Sequence, residues 1–167
     1  MQGIPLNERK RLGALLDDRP QTEVMAMIPQ FSQAETDNFV APPAQIPEAL
    51  GVLMFNMERG VNLPEIQEFL QDCPDIQPFD VILANELDDG CARSGNKNTA
   101  RELAQAFGLN YAWGLEFIEL VNDENAKGFH GNAVFSRWPI RRAGVIRLPE
   151  QYNWYFDRQK RIGGRLA

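Results

Sequence analysis

Histidine occurs once in these 167 residues and cysteine only twice. Two cysteines, Cys73 and Cys91, cannot build a disulfide framework or a cysteine-rich zinc centre. Cys73 falls at a predicted helix end and Cys91 in a loop, so both read as bystanders. The single histidine, His130, has no partner for a histidine relay and no supporting neighbours for a serine–histidine–aspartate apparatus. Positive charge is scarce as well. Against 23 Asp and Glu stand 17 Lys and Arg, a net charge of −6, which lacks the basic footprint that duplex DNA demands. An enzyme that meets phosphate through a bound cation stays open, because the cation reverses the local field. Long apolar runs are missing too, and "MQGIPLNERKRLG" lacks the apolar stretch of a signal peptide. The expectation is a cytoplasmic protein with no membrane span.

What is there is ordinary globular composition, 44% hydrophobic and 24% charged, in a chain long enough to bury one core. "LNERKRLGALLDD" predicts a helix, with Asn7 as cap and Leu12, Leu15 and Leu16 on one face. In "SQAETDNFV" Ser32 precedes Glu35 by three, a capping box that predicts a second short helix. Pro42, Pro43 and Pro47 then interrupt regular structure. Residues 1–47 therefore read as an N-terminal helical extension against a domain of residues 48–167.

From residue 50 strands and helices alternate. "LGVLMFN" has strand length, and Asn62 with Pro64 opens a helix whose inward face is Ile66, Phe69 and Leu70. "FDVILANE" is the second strand. "NTARELAQAFG" is the next helix, burying Ala100, Leu103, Ala104 and Phe107 and stopped by Gly108. "NYAWGLEFIEL", "GNAVFSRWPI" and "RRAGVIRLP" read as strands, and "RIGGRLA" as the start of another. Two β–α units followed by successive strands imply an α/β fold with a mixed sheet.

Several constellations invite chemistry. "GCARSGNKNT" has the glycine spacing of a phosphate loop, but Asn96 stands where the lysine belongs, so a polar loop leading into a helix near Asn98 is the better reading. A nucleotide-binding use of that helix start stays as a minor alternative. "ELDDGCARSGNK" lacks the ligand alternation of a calcium loop. Asn56 and Glu86 each end an apolar strand flanked by a helix. If those strands are parallel neighbours, a carboxylate and a carboxamide meet at one sheet edge, which suits a hard cation such as Mg²⁺. Polar residues at strand ends are also commonplace, and spacing alone does not choose between the two. In "GFHGNAVFSRWPI", His130 and Asn132 share a loop in which Gly128 and Gly131 permit close backbone approach. Lys160, Arg161 and Arg165 of "QKRIGGRLA" form either a solvated face or a strand entering a phosphate-facing cleft.

In order, "FNMERG", "DVILANELDDG", "GFHGNAVFSRWPI" and "GGRLA" resemble the endonuclease/exonuclease/phosphatase superfamily of deoxyribonuclease-like, metal-dependent phosphoesterases. The resemblance covers about residues 50–167 and implies a four-layered α/β sandwich of two mixed sheets with outer helices. It also implies phosphoester hydrolysis with Mg²⁺ or Mn²⁺. Glu86 would bind the metal, with Asn56 orienting the site. Arg93, His130, Asn132 and Arg165 would stand at the cleft rim near the substrate phosphate. The family's later "GDFN" and "DH" motifs have no counterpart here, so the likeness is to its N-terminal half. The isolated chain is therefore expected to be inactive. A half-sandwich leaves an apolar sheet face and a strand edge open, so the missing half or a second copy is expected to cover them. The rival expectation is a non-catalytic interaction domain of the same fold.

Overall fold

A computed structural model describes residues 1–149, 152–156 and 160–167. In chain order these form α1 (Leu6–Leu15), α2 (Gln21–Ala26), β1 (Ala34–Asp37), β2 (Val52–Arg59), α3 (Leu63–Asp72) and β3 (Val81–Asp89). Then follow α4 (Thr99–Phe107), β4 (Asn110–Glu119), β5 (Phe129–Ser136) and β6 (Arg161–Gly163). One mixed sheet takes all six strands in the order β1–β4–β5–β3–β2, with β6 continuing along the β1 side of β4. Only β2 and β3 are parallel; every other pairing is antiparallel. The mixed α/β sheet expected from the sequence is present. A second facing sheet is not found among the described residues.

The local logic of α4 is plain. Asn98 accepts the Arg101 N–H at 2.9 Å, which satisfies a free donor of the first turn. Gly108 ends the helix at φ 58°, a conformation that glycine adopts without a Cβ penalty. Between these signals Ala100, Leu103 and Ala104 are fully buried against the sheet. They share one buried cluster with Ile82, Leu87, Trp113, Leu115 and Phe135, each buried to within 1% exposure. Burial of side chains this size contributes about 1.5–3 kcal/mol each. On α3, Phe69 stacks on Phe55 of β2 with ring centroids 5.9 Å apart.

Four expectations fail. "SQAETDNFV" is not a helix: Ala34–Asp37 is β1, paired with Tyr111–Gly114 of β4. The Glu35 carboxylate that would have closed the capping box instead accepts from Tyr111 Oη at 2.5 Å and Asn98 Nδ2 at 2.9 Å. The first forty-seven residues thus contribute a strand to the sheet. Asn7 is inside the first turn of α1, whose cap position is Pro5. "RRAGVIRLP" makes only one isolated bridge, Arg147 with Leu166. Arg147 instead donates to the carbonyls of Phe31, Gly164 and Leu115, and burial pushes its guanidinium down to about 10. His130 lies in β5 rather than in a loop.

The two faces of the sheet differ. Opposite the packed helices, the register aligns Met54, Leu83, Val134 and Ala112 in one row across β2, β3, β5 and β4. Met54 is 75% exposed, Val52 57% and Val134 41%. Ile140, Arg142–Val145 and Leu166 cover part of this face and enclose a groove of about 530 Å³ with it.

Candidate functional site

Strand register breaks along one transverse line of the sheet. It shifts between Asn56 and Arg59 in the β2–β3 pair, between Ala84 and Leu87 in β3–β5, and between Leu115 and Phe117 in β4–β5. Each break is a bulge, which bends its strand and re-aims a side chain, and bulges recur beside active sites. The backbone records the distortion. Glu58 has φ 46°, Arg59 67° and Glu86 58°, left-handed values that cost a residue with a Cβ about 1–3 kcal/mol each.

Asn56 and Glu86 lie on this line. The parallel register sets Asn56 beside Asn85, the residue before Glu86. Asn56 Oδ1 accepts the Glu58 N–H at 2.9 Å, and Asn132 Oδ1 accepts the Glu86 N–H at 3.3 Å. Among the described residues, the Glu86 carboxylate and the Asn85 carboxamide have no hydrogen-bond or ion-pair partner. Glu86 is half-buried, while Asn56, Glu58 and Asn85 are exposed. The structure therefore links Glu86 to Asn132 and places Asn56 across from Asn85, the neighbour of Glu86.

The donor set is sparse. Among the described residues no group of three or more His, Cys, Asp or Glu is gathered to hold a metal ion. One carboxylate with carboxamide oxygens, completed by water, still fits Mg²⁺, which binds through one or two carboxylates and keeps several waters.

Arg93, His130 and Arg165 fall elsewhere, in a network whose charges are already paired. Asp88, fully buried two residues beyond Glu86, receives Arg93 through both carboxylate oxygens, at 2.7 and 2.8 Å. It also accepts from Ser94 Oγ at 3.2 Å and lies 3.0 Å from His130 Nδ1. Burial pushes the Asp88 carboxyl up, but hydrogen bonds from His130 and Arg93 outweigh it and hold the group below the usual aspartate range. Arg93 continues to Glu119, which accepts from Asn125 at 2.7 Å. His130 Nε2 stands 3.8 Å from Glu116, the extra residue of the β4 bulge. Glu116 is in turn bound by Arg165 at 3.0 Å. Only Arg165 keeps its side chain more than half exposed. Cys91 is buried beside this network, and desolvation pushes its thiol up, away from reactivity.

Sequence reasoning missed Asn85 and Glu58. The signal for Asn85 was the alternation Val81, Leu83, Asn85, which assigns it to the open face. The bulge that lifts Glu86 carries no comparable mark in the sequence. Comparison with protein-family models, curated proteins and solved structures finds no match to this chain. Among the described residues no helix is long and apolar enough to cross a membrane.

Proposed function

We propose that this chain is a metal-dependent phosphoesterase scaffold of the endonuclease/exonuclease/phosphatase type, supplying about the first half of a four-layered sandwich. The observation that carries the reading is the line of bulges. It runs through Asn56 of β2 and Glu86 of β3, whose carboxylate has no partner among the described residues. Strained backbone of this kind is maintained only where the surroundings over-determine it, and it clusters at functional sites.

In this reading Glu86 holds Mg²⁺ or Mn²⁺ and Asn56 orients the ion through its carboxamide. The bound cation supplies charge stabilisation for a phosphoryl group and a leaving oxygen. Arg165, although paired with Glu116, is the candidate for a substrate phosphate because its side chain stays more than half exposed, whereas Arg93 and His130 are held by Asp88. With His130 so held, activation of water falls to the second half, which packs on the row of Met54, Leu83 and Val134. The isolated chain then binds the cation without hydrolysis. The exposed row also favours a second reading, an interaction domain that keeps the fold without the chemistry.

Isothermal titration with Mn²⁺ on the unmodified chain and on Glu86→Gln separates the two. Loss of binding in the variant supports the phosphoesterase scaffold. Equal binding in both removes Glu86 from the site, and no binding in either leaves the interaction domain.

A further inference from the structure

We infer that Asn132 is a positioning residue for Glu86, holding it in the left-handed backbone conformation that presents its carboxylate at the open end of the sheet. The inference rests on the reading of Glu86 as a cation ligand and gives that ligand its support. In the β3–β5 pair, Ala84 faces Ala133 and Leu87 faces Gly131, so Asn85 and Glu86 together oppose Asn132 alone. A two-against-one bulge leaves backbone groups without ladder partners. Here the Glu86 N–H turns to the Asn132 side chain at 3.3 Å, in place of a backbone carbonyl. An N–H can meet only the oxygen of a carboxamide, so this bond also fixes which way the Asn132 amide points.

The neighbouring residues hold the same arrangement. The Leu87 carbonyl, on the other side of the bulge, accepts from Trp113 Nε1 at 3.3 Å. A Cβ at position 131 would sit 2.0 Å from the Gly114 carbonyl oxygen and 2.7 Å from the Trp113 ring, so only glycine lets β5 approach β4 this closely. Asn132 follows directly and stands opposite Gly114. Gly131 thus sets the depth at which the Asn132 side chain reaches across to β3. Ligands of a metal are commonly oriented by such outer hydrogen bonds, whose removal weakens metal affinity about 10- to 100-fold.

Amide hydrogen exchange by NMR and Mn²⁺ titration, read together, test the inference. In the unmodified protein the Glu86 amide should exchange slowly, and a freely exchanging amide overturns the inference with no variant needed. Asn132→Leu keeps the volume and removes the acceptor. It should speed Glu86 exchange about five- to tenfold, the worth of one hydrogen bond. Mn²⁺ affinity should fall at least tenfold with it. Asn132→Asp keeps an acceptor oxygen and should restore slow exchange, with Mn²⁺ affinity no weaker than in the unmodified protein. Weakened Mn²⁺ binding in Asn132→Leu with unchanged Glu86 exchange would make Asn132 a direct ligand and overturn the positioning role. Faster exchange with unchanged affinity would leave the bond purely structural, which also overturns it. If Glu86→Gln does not weaken Mn²⁺ binding, the ligand reading fails by itself, and the exchange rates still decide whether Asn132 holds the bulge.

Discussion

Glu86 and Asp88 stand two residues apart on one strand in opposite circumstances. Asp88 is fully buried and answered on every side: by Arg93 through two bonds, by Ser94, and by His130. Glu86 is half-buried, and its carboxylate is answered by nothing in the described chain. Burial of an ion is tolerable only with complete pairing, so Asp88 belongs to the structure. The open carboxylate, on a strained backbone whose N–H is held by Asn132, is the one that the proposed cation site uses. The contrast also redistributes the roles expected from sequence. Arg93 and His130 resemble substrate contacts by motif, but here they hydrogen-bond Asp88, and Arg93 also holds Glu119.

Three changes probe this contrast. The largest effect is expected from Asp88→Ala, which leaves Arg93 with Glu119 alone and removes the partner of His130 Nδ1. Breaking a buried pair in this way costs about 3–5 kcal/mol, measurable as a lowered denaturation midpoint. A midpoint within experimental error of the unmodified chain would show that the network does not support the fold. Acid should act more gradually on the same group. Because the Asp88 carboxyl is held below its ordinary range, its contribution is fully present above the unfolded aspartate value and is lost as pH falls through the folded one. Stability should therefore decline from about pH 4 downward. Asp88→Asn should show a shallower decline over that range. The smallest change, of opposite sign, is expected from Glu86→Gly. Glycine accepts φ 58° without penalty, so the variant should gain about 1 kcal/mol in stability while losing Mn²⁺ binding. A stability loss there would show that the Glu86 side chain supports the fold.

The frame of the domain was legible because its signals are local. Asn98 and Gly108 bracket α4, and the apolar runs of β2, β3, β4 and β5 lie where their composition puts them. The parallel approach of β2 and β3 was also accessible, since each strand is followed by a helix. β1 was not, because a capping box of about 1 kcal/mol yields to pairing with β4 and to the tertiary bonds of Glu35. The site was half legible. Asn56 and Glu86 stand out in the sequence as polar residues closing apolar runs. They lie, however, inside strands that continue to Arg59 and Asp89, at bulges that arise from register between strands. The engagement of His130 by Asp88 spans 42 residues and leaves no trace in the local pattern.

The two carboxylates can be told apart most directly by adding substoichiometric Mn²⁺ to the isotopically labelled chain and reading paramagnetic broadening of the backbone amides. The account predicts that signals of Asn56, Asn85 and Glu86 broaden first, and that Glu86→Gln abolishes this. Broadening centred on other carboxylates of the chain, and unchanged in Glu86→Gln, would contradict it.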